Sequence, residues 1–202
     1  MLSKTIILLT ISMLFTQDYP AIGSSESLDI MTWNVQNYPK HNLTNSYMAD
    51  IINQINVDII AFQEIESQNS FDNLINQLNG SWVGYRSSQN SDWGELSYAI
   101  NLNEINVESV YNILSGEQYY FAYREPYVIE FSHQGINYVA INNHFKCCGD
   151  GNLDLSDSSD EEYRRFMSSQ LLEEYINDNY GSSKVILLGD LNDSLTDNDS
   201  NN

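Results

Sequence analysis

Asp190 and Asn192 stand two residues apart behind an apolar run, and on an extended segment that spacing turns a carboxylate and an amide to the same side. Together they can grip one water or one metal ion. Gly189, just ahead, lets a backbone come close, as a phosphate-bearing substrate requires. The plainer alternative is an Asp-Leu-Asn-Asp turn after a core strand. Glu64 closes a second apolar run and is the best candidate ligand for a hard divalent cation, with Asn34 orienting it or adding a carbonyl oxygen. Magnesium suits so sparse a set, because it takes oxygen ligands and few of them from protein. His144 follows two asparagines at the end of a third run. An imidazole there is either a satisfied polar group or a donor to phosphate oxygens that can protonate a leaving group. Arg124, in Tyr-Arg-Glu-Pro, offers a planar fork that matches phosphate oxygens. The chemistry these residues share is phosphoester hydrolysis: a phosphodiester repels nucleophiles by its own charge, and a divalent cation screens that charge and stabilises the leaving oxygen.

Such residues need rigid elements behind them. Four short, β-branched runs bounded by polar turns read as buried strands: Leu28 to Asn34, Asp58 to Glu64, Ile136 to His144 and Lys184 to Asn192. A fifth, Tyr127 to Ser132, follows the turn at Pro126. Helical spacing appears at Met48, Ile51, Ile52 and Ile55, and again at Phe71, Leu74, Ile75 and Leu78. From about Ser159 to Asn179 a third helix is expected, with Phe166, Met167, Leu171, Leu172, Tyr175 and Ile176 on its inward face and Ser159 with Glu162 as a capping box. The class expected is α+β, with strands in one or two sheets and helices outside.

At 202 residues with 42% hydrophobic side chains, the chain can bury a sizeable core as one domain. Its formal charge of −20 opposes tight non-specific binding to polyanions, so a nucleic acid would be met locally, through a metal and a few donors. Residues 1–23 read as a secretory signal, with Lys4 ahead of the apolar run Thr5 to Phe15 and small residues at Ala21-Ile22-Gly23. That run is too short to span a bilayer, and no membrane span is expected in the mature chain. An extracellular or periplasmic protein is expected, its domain running over 24–202. The two cysteines, Cys147 and Cys148, are neighbours, and the three histidines are scattered, so no zinc spacing is present. Six acids between Asp150 and Glu162 suit a solvated loop or a calcium site.

Taken together, these residues resemble the endonuclease/exonuclease/phosphatase superfamily, in its deoxyribonuclease-I-like form. Thr32-Trp33-Asn34-Val35 looks like the first motif, with an asparagine near the metal, and Phe62-Gln63-Glu64 is similar to the second, whose glutamate is the metal ligand. Asn143-His144 falls where the family has a phosphate-contacting histidine. Gly189-Asp190-Leu191-Asn192-Asp193 resembles the motif that positions the nucleophilic water and the substrate. The resemblance implies a four-layer α/β/β/α sandwich with the site at one edge. It also implies hydrolysis of phosphodiesters with Mg2+ (or Mn2+ or Ca2+), Asn34 and Glu64 at the metal, His144, Asp190 and Asn192 catalytic, and His144 and Arg124 on the phosphate. Arg124-Glu125-Pro126 looks like a segment of deoxyribonuclease-like members and tilts the substrate towards nucleic acid, so that an extracellular nuclease, an endonuclease acting on DNA, is the function expected. The alternatives are a phosphodiesterase of the sphingomyelinase or inositol-phosphatase kind, and an inactive fragment. The last is considered because the family's terminal Ser-Asp-His motif does not follow Asn192, which makes the domain incomplete at its C-terminus.

Overall fold

The computed structural model describes residues 18–89 and 93–194. The expected signal segment falls on residues 1–17 for the most part, and the chain after Ser194 is likewise outside the described residues. In order, the elements are β1 (Ile30–Tyr38), α1 (Thr44–Ile55), β2 (Ile59–Ile65), α2 (Gln68–Ile75), β3 (Trp82–Arg86), β4 (Glu95–Asn101), β5 (Ile105–Asn112), β6 (Tyr127–His133), β7 (Ile136–His144), α3 (Glu161–Tyr180) and β8 (Lys184–Asp190).

Two four-stranded sheets result, ordered β1-β2-β4-β3 and β5-β6-β7-β8. Each has one parallel pair at an edge, β1 with β2 and β7 with β8, bridged by a helix that crosses over between them; the remaining pairings are antiparallel. Strand β2 shows why the sheets stack. Ile60 and Phe62 face α1 and α2, packing on Ile52, Phe71 and Leu74. Ile59 and Ala61, on the opposite face, join Tyr98, Ile129 and Phe131 between the sheets. A third apolar layer, with Val128, Val139, Ile141 and Leu172, lies between the second sheet and α3. Three buried layers make four layers of elements, the expected α/β/β/α sandwich.

A buried polar bridge crosses the middle layer. Asn142, fully buried on β7, donates through Nδ2 to Phe62 O (3.0 Å) and Ser97 O (3.2 Å) of the other sheet. Gln63 Nε2 donates in turn to Asn142 Oδ1 at 2.7 Å. The two sheets are thereby registered one on the other directly beneath the strand ends that carry Glu64 and His144, since burying these amides unpaired would cost about 1–3 kcal/mol each.

Three expectations are corrected. The α3 cap is Asp160, whose side chain accepts from Tyr163 N at 3.3 Å, while Ser159 Oγ turns back to Asp157. The inward face of the first half of α3 is polar: Glu162, Arg164, Arg165 and Ser168 are buried, and Phe166 is exposed. The reason is local, because loop carbonyls at Tyr119, Tyr120, Lys146 and Cys148 accept from these side chains. Finally, β1 does not end at Asn34. It runs to Tyr38 through an irregularity in which Gln36 and Asn37 take φ of 43° and 55°. Ahead of β1, Tyr19 N donates to Gln54 Oε1 (2.8 Å) and Ile22 N to Ile55 O (2.8 Å), so residues before Gly23 rest on the end of α1.

Candidate active site

The carboxyl ends of both parallel pairs open at the same edge of the sandwich, where ligands commonly bind in open α/β sheets. Asn34, Glu64, His144 and Asp190 come from β1, β2, β7 and β8. Asn34 is the hub: its Nδ2 donates to Glu64 Oε1 at 2.9 Å and to Asp190 Oδ2 at 2.8 Å, while its Oδ1 accepts from Gln36 N at 2.9 Å. The irregularity in β1 also turns Asn37 N towards Glu64 Oε2, at 2.9 Å. One amide and one backbone N–H therefore draw two carboxylates from different sheets to a common point.

The backbone supports this convergence. Glu64 itself takes φ of 65°, and the chain fits over it because Gly94 has no side chain: a Cβ there would come within 2.6 Å of Glu64 C. Gly189, at φ of 139°, lies against β7, where an added Cβ would meet Asn143 O at 2.0 Å. His144 is paired in register with Asp190. Its Nε2 is 3.7 Å from Asp190 Oδ2 and 4.0 Å from Glu64 Oε1, and only 4% of the residue is exposed. Burial, reinforced by Arg124 and opposed by the two carboxylates, pushes its pKa down to about 4, so the ring is neutral at neutral pH.

Asn192 reaches the site differently from the expected alternation. β8 stops at Asp190, Asn192 turns to φ of 53°, and its backbone N donates to Asp190 Oδ1 at 3.0 Å. A tight turn, and not an extended strand, thus joins the pair. Asn192 Nδ2 is fixed on Phe145 O at 3.0 Å. The same carbonyl takes Arg124 Nη2 at 3.5 Å. Arg124 is buried, and its environment lowers the guanidinium pKa through desolvation, against the pull of Glu64 and Asp190. Arg124 Nε and His144 Nδ1 are buried with no hydrogen-bond partner among the described residues.

All six sequence-predicted residues line one cleft of about 600 Å³. Sequence reasoning missed Gln36, Tyr123, Lys146 and Arg164, which line it too. A signal for the cations was available. Of eight basic residues in the chain, Arg124, Lys146, Arg164 and Arg165 all gather at this edge, where Lys146 pairs with Glu161 and Arg165 with Glu162 and Asp193. Glu95, Leu96, Ser97 and Tyr98 are buried in β4. The acidic loop from Asp150 forms a shallow surface groove with Gly149 and Glu162.

Among the described residues, no group of three or more His, Cys, Asp or Glu side chains is arranged to hold a metal ion alone. Two converging carboxylates with water and substrate oxygens are nevertheless what Mg2+ takes, since it is commonly bound through one or two carboxylates plus phosphate. The donor set fits that ion. Among the described residues no helix is long and apolar enough to cross a membrane.

Residues 31–202 match the Endonuclease/Exonuclease/phosphatase family. No curated protein matches the chain. Among solved structures, TDP2 from C. elegans superposes with a TM-score of 0.60 at 20% identity, over 83% of this chain and 48% of that one. D. rerio TDP2 complexed with a single-strand DNA product gives 0.58 at 16% identity, over 83% and 61%. The human Nocturnin catalytic domain with bound sulfate gives 0.59 at 15%, over 84% and 66%. The chain thus spans from about half to about two-thirds of the length of these neighbours, and at these identities they show the shared fold.

Proposed function

We propose, from the premise that this chain belongs to the endonuclease/exonuclease/phosphatase family, that it is a divalent-metal-dependent phosphodiesterase, and that its substrate is a nucleic acid cleaved outside the cytoplasm. One observation carries the reading: Asn34 Nδ2 holds the Glu64 and Asp190 carboxylates together at 2.9 and 2.8 Å on the floor of a cleft whose wall is Arg124.

In this reading Glu64 holds the cation, with Asp190 beside it and Asn34 orienting both carboxylates. A bound Mg2+ would screen the phosphate charge and stabilise the leaving oxygen. Arg124, preoriented by Phe145 O, offers its fork to the non-bridging oxygens. His144, beside Asp190, offers an N–H to the same phosphate. Asp190 and Asn192, tied by the Asn192 N bond, place the attacking water. The cations Arg124, Lys146 and Arg164 lining the cleft support an anionic substrate despite the overall charge of −20, and the D. rerio neighbour bound to a single-strand DNA product supports DNA. The apolar run Thr5 to Phe15 supports export.

The test is to incubate the protein with plasmid and with sphingomyelin vesicles, in Mg2+ and in chelator, beside Glu64→Ala. Plasmid nicking that needs Mg2+ and Glu64 is expected. Cleavage of the lipid alone would overturn the nucleic-acid substrate, and full activity in chelator would overturn the metal assignment. Hydrolysis of neither substrate would overturn catalysis by this chain.

A further inference from the structure

The Cys147 and Cys148 thiols take no part in the reaction just described, yet their geometry is specific. Successive side chains on an extended segment point to opposite faces. Here Cys148 Sγ lies 2.8 Å from Cys147 Sγ. The backbone allows it because Cys148 takes φ of 75° and Gly149 takes 101°, folding the dipeptide back on itself. Helix α3 holds that fold in place. Arg165 Nη1 donates to Lys146 O at 3.2 Å and Cys148 O at 2.9 Å, Glu162 accepts from Gly151 N at 2.7 Å, and a Cβ on Gly149 would strike the Glu162 carboxylate at 2.2 Å. Both thiols remain exposed.

The two sulfurs are not equivalent. Cys147 lines the catalytic cleft beside Arg124, Lys146 and Arg164, and Lys146 Nζ is 3.9 Å from its Sγ. A thiolate is the nucleophilic form of cysteine, and the Lys146 ammonium is the cation that stands beside Cys147. Cys148 donates its S–H towards Cys147, and that hydrogen bond holds its thiol above the usual range.

We propose that Cys147 and Cys148 form a redox modification site on the rim of the cleft, oxidised reversibly by a low-molecular-weight disulfide, with Cys147 attacking and Cys148 resolving. The Cys147 thiolate attacks one sulfur of the external disulfide, forming a mixed disulfide and expelling one thiolate, which takes up the proton Cys147 had lost. Cys148, losing its proton to solvent, then attacks Cys147 Sγ, closes the ring between the neighbours and expels the second thiolate, which is protonated in turn. One external disulfide becomes two thiols, and the protein loses two hydrogens. Adjacent Cα atoms lie about 3.8 Å apart, shorter than the usual disulfide range of about 4.4–6.8 Å, so the bond is strained. Strained, exposed disulfides are the readily reduced ones, which makes this pair a switch and not a staple. Lys146 Nζ donates to Cys147 O at 2.9 Å, so closing the ring reaches a cleft residue through the same peptide.

Because these are the chain's two cysteines, mass and thiol titration read the step without reference to hydrolysis. The reduced full chain is incubated with equal concentrations of glutathione and glutathione disulfide. Loss of two hydrogens and of both titratable thiols, without a lasting glutathione adduct, is expected. Cys148→Ser should retain one glutathione on Cys147, and Cys147→Ser should form its adduct about tenfold more slowly. Wild-type protein that keeps both thiols, or that accumulates a stable adduct, overturns the proposal. Equal adduct rates in the two variants overturn the division of roles.

Discussion

Replacing Gly189 by alanine tests whether the close contact between β7 and β8 sets the position of Asp190. At φ of 139° the position lies in a region that residues with a Cβ rarely enter, at a cost of about 1–3 kcal/mol. The new methyl group would also start 2.0 Å from Asn143 O and 2.7 Å from Asn143 N, both backbone atoms of a buried residue on β7. Relief requires β8 to move away at the register where Asn143 faces Gly189, loosening one or two ladder bonds worth about 0.5–1.5 kcal/mol each. The total, about 2–5 kcal/mol, is a large part of the roughly 5–15 kcal/mol that stabilises a domain. For a chain of this length the melting temperature should fall by about 5–20 °C, measured by far-UV circular dichroism. Phosphodiesterase activity below that melt should fall as well, because Asp190 is the next residue. Gly116→Ala is the matched control: nothing lies within 4 Å of its Cβ, and a change within about 0.5 kcal/mol is expected. If Gly189→Ala melts within about 2 °C of the parent, the steric reasoning fails.

Three further outcomes are expected. Asn34→Ala removes the donor shared by Glu64 and Asp190 and should weaken Mg2+ dependence by about 10–100-fold, read as the metal concentration giving half-maximal activity; an unchanged midpoint would show that the carboxylates need no such clamp. Asn142→Ala takes the side-chain donor from Phe62 O and Ser97 O and leaves Gln63 Nε2 with Thr32 Oγ1 and Ala61 O alone, and should lower the urea-unfolding free energy by about 2–4 kcal/mol, whereas a loss below about 1 kcal/mol would mean that water replaces the bridge. Asp58, buried beneath β1, has its carboxyl pKa raised by desolvation from 3.8, so the folded state binds its proton more readily than the unfolded one. That contribution is fully present below the unfolded pKa and is lost as pH rises through the folded pKa. Asp58→Asn should therefore be more stable than the parent at pH 7, with the gap closing as pH falls through the acid range; a gap constant with pH in thermal melts would refute it.

Much of this was legible because the strands are short, β-branched and bounded by polar turns, and because Asn34, Glu64, His144 and Asp190 lie at or near their carboxyl ends. The role of Asn34 as a clamp was half legible: its Oδ1 is taken by Gln36 N, and that depends on an irregularity in β1 that no periodicity reveals. Asn192 was grouped correctly with Asp190 but for the wrong geometric reason, since a left-handed turn mimics what alternation on a strand would do. The second half of α3 packs through Leu171, Leu172, Tyr175 and Ile176 as expected, but its first half was misread because hydrophobic spacing assumes that burial means apolar contact. Arg164 and Arg165 are buried instead against carbonyls some 17 to 45 residues away along the chain. Gln63 and Asn142 were invisible for the converse reason: a polar residue inside an apolar run finds its partner only once two sheets are stacked.

The division of the chain between the sheets has a practical reach. Everything in the first sheet lies before Asn101 or at it, everything in the second begins at Ile105, and the turn between them is exposed. Asn34 and Glu64 belong to one half; Arg124, His144, Asp190 and Asn192 belong to the other. Two polypeptides divided in that turn, each fused to one member of an interacting pair, would each carry an incomplete set of the groups proposed for catalysis. Metal-dependent cleavage would then return only where the fused members meet, making the sandwich a coincidence detector whose output is a cut phosphodiester.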